Sequence, residues 1–401
     1  MKSTAALALT CLVSFGALFT TACPTRVEGN DPDEGDLATP DLGIPGPRDM
    51  ATPCVGLVCQ KPRCAGTNTT TLSGTVFAPN GQDPLYNALV YVPNGELRPF
   101  VDGVACETCT GGVSGTAVSA ALTDTKGRFV LKDMPAGPNI PLVVQIGRFR
   151  RKITVPNVTA CVDTPVANGD VRLPRTSAEG DIPRIAIVTS TYDPTECILN
   201  AIGIDAAEFT APSGNGRIHI YHGNGNNISG APAGDELWNN PANLKKYQLV
   251  ALPCSSYPSS DPGLQNLYDY ANLGGRLFIT DLSYPVVSQG KGTWPATGDF
   301  NAPGSFTNPA LVDTTFPKGK ALSDWLPVNH VQTISGGFFL GTDENLDGKG
   351  WNPLNFAWYD AHRVVMNKSS ASDKNRGGYN HDMSGGFASG EKAGGKKNPY
   401  L

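Results

Sequence analysis

Short apolar runs broken by turn residues fill the chain between residues 71 and 158, and their period of two is that of strands with one buried face. The clearest stretch is Thr123-Asp124-Thr125-Lys126-Gly127-Arg128-Phe129-Val130-Leu131, where Phe129 and Leu131 point one way after a corner at which Gly127 is free to take positive φ. Further strands are predicted over 72–78, 88–92, 141–146 and 152–155, with Pro79-Asn80-Gly81 as a turn. Five short strands at this spacing predict an antiparallel β-sandwich over residues 71–175.

From Ile182 the pattern changes. Residues 184–190 form a continuous apolar run, the mark of a strand covered on both faces, and Asp193-Pro194 then opens a helix. The alternation continues with strands at 217–221, 248–253 and 276–280 and helices at 237–246 and 264–273, which predicts a flavodoxin-like α/β parallel sheet within 182–360. If the four strands lie in the order 2-1-3-4, the first and third are neighbours, and Cys197 and Cys254 emerge together at the carboxyl edge, so a Cys197–Cys254 disulfide is expected. Ser255, Ser256, Thr280, Asp281 and Ser283 gather at the same edge, where open α/β sheets bind ligands, and form a candidate pocket. Hydroxyls at strand ends also simply cap loops. His219 and His222, three apart on one strand, are poor co-ligands and read as sheet and edge residues. The Gly223–Asn227 loop opens no well-formed helix, so it is weak as a phosphate cradle.

Composition narrows the function classes. The 401 residues suffice for two core-bearing domains, and a net charge of −5 with 17% charged residues leaves no basic footprint for nucleic acid. Residues 1–22 have the form of a signal peptide, with Lys2 followed by an apolar core. Thr20-Thr21-Ala22-Cys23 resembles the lipobox of bacterial lipoproteins, departing from it at Thr20, where Leu is usual. That resemblance implies a lipid on Cys23 and a place in the cell envelope, at the outer membrane or cell surface; secretion without lipid is the alternative. Residues 23–53 are acidic and proline-rich and are expected to form a solvated linker, and the Ser-, Gly- and Lys-rich residues 367–401 a disordered tail.

Ten cysteines change the picture further. With Cys11 and Cys23 set aside, an even number remains, as expected of disulfides in an oxidising compartment. Cys54, Cys59 and Cys64 form a cysteine-rich segment, 54–70, ahead of the sandwich; with Cys106, Cys109 and Cys161 they are expected to pair in a connectivity the sequence leaves open. Zinc is the competing reading, but no His lies close to these cysteines. In the second half, Asp343, Asn345 and Asp347, followed by Gly348, match part of a calcium loop, yet Leu354 stands where a bidentate Glu is expected. Calcium is therefore the one cofactor under consideration, against an ordinary polar turn.

The run from Ser73 through Asn80-Gly81, Ala88–Val92 and Thr123–Phe129 resembles the carboxypeptidase regulatory-like domain, a transthyretin-like sandwich grouped with carbohydrate-binding-like folds. The resemblance implies a non-catalytic spacer, adhesion or binding module. The phrases around Tyr247–Pro253 and Gly274-Gly275 resemble the class I glutamine amidotransferase-like fold. That family carries its nucleophilic cysteine on the turn after the strand that follows the paired glycines, whereas Thr280-Asp281-Leu282-Ser283 stands there here, so the chemistry is expected to be absent. The function expected is a non-catalytic envelope lipoprotein acting in binding or surface architecture, held to the membrane by its lipid, with a glycan or an envelope protein as partner classes. The alternative is an exported hydrolase or sugar-processing enzyme using the carboxyl-edge crevice.

Overall fold

The computed structural model describes residues 54–105, 113–191, 193, 195–225, 227–297, 310–312, 314–329, 333–334, 337–338 and 366–367. Cys23, Cys106, Cys109, the Asp343, Asn345 and Asp347 motif and the tail beyond residue 367 lie outside them.

The first part of the chain builds two sheets: β1 (Thr71–Thr75), β2 (Leu89–Pro93), β3 (Ala117–Leu122), β4 (Arg128–Leu131), β5 (Gly137–Ile146), β6 (Phe149–Val158) and β7 (Asp163–Pro165). One sheet is antiparallel in the order β3-β2-β5-β6; the other runs β4-β1-β7, with β7 parallel to β1. Leu72, Leu131, Val90, Val118, Leu142 and Val144 from both sheets meet in one apolar core. In β4 Phe129 and Leu131 are buried while Arg128 and Val130 are exposed, the period of two that the sequence predicts. The corner before β4 is built by Asp124, whose carboxylate accepts the backbone N–H groups of Lys126 (2.8 Å) and Arg128 (2.9 Å). Gly127 sits at φ 73°, and a Cβ there would come within 2.8 Å of the Val76 carbonyl. Thr123 locks the corner to the neighbouring loop: its hydroxyl accepts the Ala88 N–H and donates to the Leu85 carbonyl.

Two cystines staple this part. Cys54–Cys59 closes the turn Gly56–Gln60, and Cys64–Cys161 ties the segment before β1 to the segment after β6, across 97 positions. Leu57 and Val58 then pack against the core, so the cysteine-rich segment belongs to the folded body.

A parallel five-stranded sheet follows, from β8 (Ile185–Val188), β9 (Phe209–Thr210), β10 (Ile218–Tyr221), β11 (Leu249–Leu252) and β12 (Arg276–Ile279), in the order β12-β11-β8-β10-β9. All four residues of β8 are buried, because both faces are covered. Ala186, Val188, Tyr221 and Val250 pack under α2 (Gly234–Trp238), α3 (Pro241–Leu244) and α4 (Asp261–Asn272). Ile185, Ile187, Ile218 and Ile220 form the core on the other face, against which Leu199 of α1 (Thr195–Ala201) packs. The helix predicted over 237–246 is two short helices instead. Pro241 has no N–H to carry the first one on, and the Asn240 side chain caps the second by accepting from Ala242 N.

Beyond α5 (Pro285–Ser288), short antiparallel pairings join β13 (Ala310–Val312), β14 (Thr333–Ile334), β15 (Gly337–Phe338) and β16 (Met366–Asn367), and α6 (Pro317–Trp325) reaches the first part of the chain through Trp325 Nε1, which donates to the Pro84 carbonyl at 2.9 Å. Among the described residues no helix is long and apolar enough to cross a membrane.

Candidate functional site

The carboxyl edge of the parallel sheet holds the predicted pocket residues, and the structure shows what occupies them. Thr280, at the end of β12, donates its hydroxyl to Asp193, a 5% exposed carboxylate in the loop after β8. The same carboxylate oxygen accepts the backbone N–H of Cys254 at 3.2 Å, so Asp193 clasps the ends of three adjacent strands. Ser190 donates to the Cys254 carbonyl at 2.6 Å, Ser256 to the Thr189 carbonyl at 2.9 Å, and Ser283 to the Pro253 carbonyl. Thr280, Ser256 and Ser283 are all buried. The Ser256 and Ser283 hydroxyls thus satisfy main-chain carbonyls where the strands end, and the Thr280 hydroxyl is held by the buried Asp193 carboxylate. Asp281 begins the short turn Asp281–Ser283.

Ser255 differs from these. It is half-buried, adopts φ 63°, a left-handed conformation uncommon outside glycine, and places its hydroxyl 3.7 Å from the Cys254 sulfur. The Cys254 side chain is only 1% exposed.

The expected Cys197–Cys254 disulfide does not form. β8 and β11 are neighbours as anticipated, but the loop through Asp193 delays the start of α1, and the helix carries Cys197 to the exposed surface while Cys254 stays buried at the strand end. Although the residue is exposed, partial desolvation by the groups around it, aided by the neighbouring Glu196 carboxylate, raises the Cys197 thiol above its ordinary range, which lowers its nucleophilicity at neutral pH. The cystines that do form, Cys54–Cys59 and Cys64–Cys161, join four of the six cysteines whose connectivity the sequence leaves open. Among the described residues no group of three or more His, Cys, Asp or Glu side chains is arranged to hold a metal ion.

His219 is buried in the sheet and His222 is exposed at its edge. His219 Nε2 lies 3.0 Å from the Gly216 carbonyl and Nδ1 2.9 Å from the Tyr247 hydroxyl, which is 3.0 Å from that of Tyr221. A carbonyl only accepts, so Nε2 carries the proton, Nδ1 accepts from Tyr247, and Tyr247 accepts from Tyr221. Asp193, Thr189 and Ser190 were not legible as site residues. Their one sequence signal, Asp193-Pro194, reads as a helix start, and the clasp depends on three strands far apart in sequence.

No family model and no curated protein matches the chain. Solved structures similar to parts of it include a mutant type II cohesin–X-dockerin complex from Acetivibrio cellulolyticus, at 18% identity over 34% of this chain and 85% of that one, with a TM-score of 0.18. A mercury-inhibited catechol 1,2-dioxygenase from Acinetobacter sp. ADP1 is similar at 14% identity over 43% of this chain and 57% of that one (TM-score 0.16). The dioxygenase domain of a dioxygenase–carbohydrate-binding fusion from Streptomyces sp. SirexAA-E is similar at 16% identity over 50% and 96% (TM-score 0.12). At these TM-scores the likeness carries no argument about fold or function.

Proposed function

We propose that this chain is an exported envelope protein, fixed to a membrane by lipid on Cys23, in which a cystine-stapled sandwich of carboxypeptidase regulatory-like kind and a flavodoxin-like α/β unit act in binding or surface architecture without catalysis. The observation that supports this reading most is the Cys64–Cys161 cystine, which suits an oxidising compartment. The carboxyl-edge hydroxyls agree with it, since those of Ser256 and Ser283 are engaged with the backbone and that of Thr280 with the Asp193 carboxylate rather than arrayed toward a substrate. Calcium on Asp343, Asn345 and Asp347 would be an accessory of this reading, and a glycan or an envelope protein its partner.

A second reading, an exported hydrolase or sugar-processing enzyme, draws on one observation: Cys254 is not bonded to Cys197 and adjoins a serine in left-handed conformation. Its burial counts against it.

The test is fractionation of cells fed an alkyne fatty acid. The wild type is expected in the membrane fraction carrying the label, and Cys23→Ser in the soluble exported fraction without it. An unlabelled, soluble wild type overturns the anchored reading.

A further inference from the structure

The loop that leaves β2 crosses to the parallel sheet and docks there. Val104 N–H donates to the Lys245 carbonyl at 2.9 Å, and Gly103, at φ 88°, lies so close that a Cβ would come within 2.6 Å of the same oxygen. Between this loop, the base of β6 and the parallel sheet lies a cleft of about 320 Å³, lined among others by Phe100, Asp102, Arg148, Asp181, Arg217 and Gln248. That volume is at the lower end of small-molecule sites, roughly 300–1,000 Å³, which favour junctions of this kind.

Both carboxylates of the walls are held by arginines. Both terminal nitrogens of Arg217 engage Asp102, at 2.6 and 3.2 Å, and Arg184 approaches the same carboxylate at 3.5 Å. The hydrogen bond from Arg217 holds the Asp102 carboxyl below its usual range, against its partial burial, so it is ionised. Arg150 donates to Asp181 at 2.8 Å and to the Arg98 carbonyl at 2.9 Å, and its guanidinium lies 4.2 Å from the centre of the Phe100 ring. Arg148 donates to the carbonyls of Val101 and Gly103, and Gln248 Nε2 to that of Gly103.

These pairings select the ligand. Arg217 gives both terminal nitrogens to Asp102 and Arg150 gives Nε to Asp181, and these two guanidinium side chains are only 21% and 4% exposed while the Asp102 and Asp181 side chains remain 47% and 39% exposed, so an anion entering the cleft meets half-exposed negative charge first. A cation would have to compete with the arginines already in place. A neutral ligand rich in hydroxyls does neither: it donates into the remaining lone pairs of the carboxylates, accepts from guanidinium edges and lays an apolar face against Phe100. We propose that this cleft is a binding site for a neutral saccharide of roughly one to two rings. The proposal rests on the binding reading above and gives it a ligand class.

Isothermal titration of the purified full chain with glucose, galactose, N-acetylglucosamine and cellobiose, each alone, and with citrate and phosphate, tests it. At least one saccharide is expected to saturate with a Kd of about 0.1–10 mM, and the anions are expected to give no binding. Phe100→Leu removes the flat ring but keeps apolar bulk, and Asp181→Asn keeps an oxygen for Arg150; in each, with folding checked by thermal melting, the affinity is expected to fall about tenfold or more. Absence of saturation by every saccharide, preference for citrate or phosphate, or undiminished affinity in both folded variants overturns the proposal. A chain that takes the lipid label yet binds no sugar removes the ligand and leaves the anchored reading intact.

Discussion

At the scale of single residues, the most exposed wager is His219. Burial, reinforced by the positive charges of Arg184, Arg217 and Lys246, pushes its imidazole below the ordinary value of 6.5, against the pull of the Gly216 carbonyl. The folded state therefore holds it neutral while the unfolded chain takes up a proton. Its contribution is fully present above pH 6.5 and is lost as pH falls below that value, by at most one proton's linkage, about 1.4 kcal/mol per pH unit. Urea unfolding midpoints should decline from pH ~7.5 to ~5.5, and the decline should flatten in His219→Gln. An equal decline in the variant would assign the acid sensitivity elsewhere. The sequence placed His219 in a strand but hid its partner, because Tyr247 lies 28 positions away and only the parallel pairing brings them together. Asp124 and Gly127 were legible for the opposite reason: the bonds that build their corner span two to four residues, and the side-chain and φ requirements of such a corner are visible in the letters themselves.

Among elements, the strongly patterned ones were foreseen and the weak ones were not. β4 and β8 show their burial in their residue types, by alternation in one and by a continuous apolar run in the other. β3, with the sequence Ala-Val-Ser-Ala-Ala-Leu, carries little β-branched signal and owes its extension to pairing with β2, where Tyr91 faces Ala120. The strand neighbours around β8 follow the expected order, yet the disulfide inferred from that order does not form, because adjacency of strands leaves the direction of the following helix open. The two cystines that do form should matter in proportion to the chain each closes. Replacing Cys64 and Cys161 together by Ser is expected to cost roughly 2–5 kcal/mol in urea unfolding, and replacing Cys54 and Cys59, five positions apart, clearly less. Equal losses would place the stabilisation in local packing instead of loop closure.

On the scale of the whole molecule, two architectures of different period share a polar seam. The seam was illegible in the sequence because Asp102 and Arg217, 115 positions apart, have no local pattern linking them, and the carboxyl edge, which was legible as a place, proved to be filled by its own hydrogen bonds. The central claim is that this chain leaves the cytosol, carries a lipid on Cys23 and commits thiols to cross-links. A peptide mass map of the unreduced protein, isolated from membranes, tests all three parts at once. It should show a mature N-terminus at a lipid-modified Cys23 and a linked pair of peptides containing Cys64 and Cys161. A chain recovered from the cytosol with Met1 in place and with both of those thiols reduced would contradict the account.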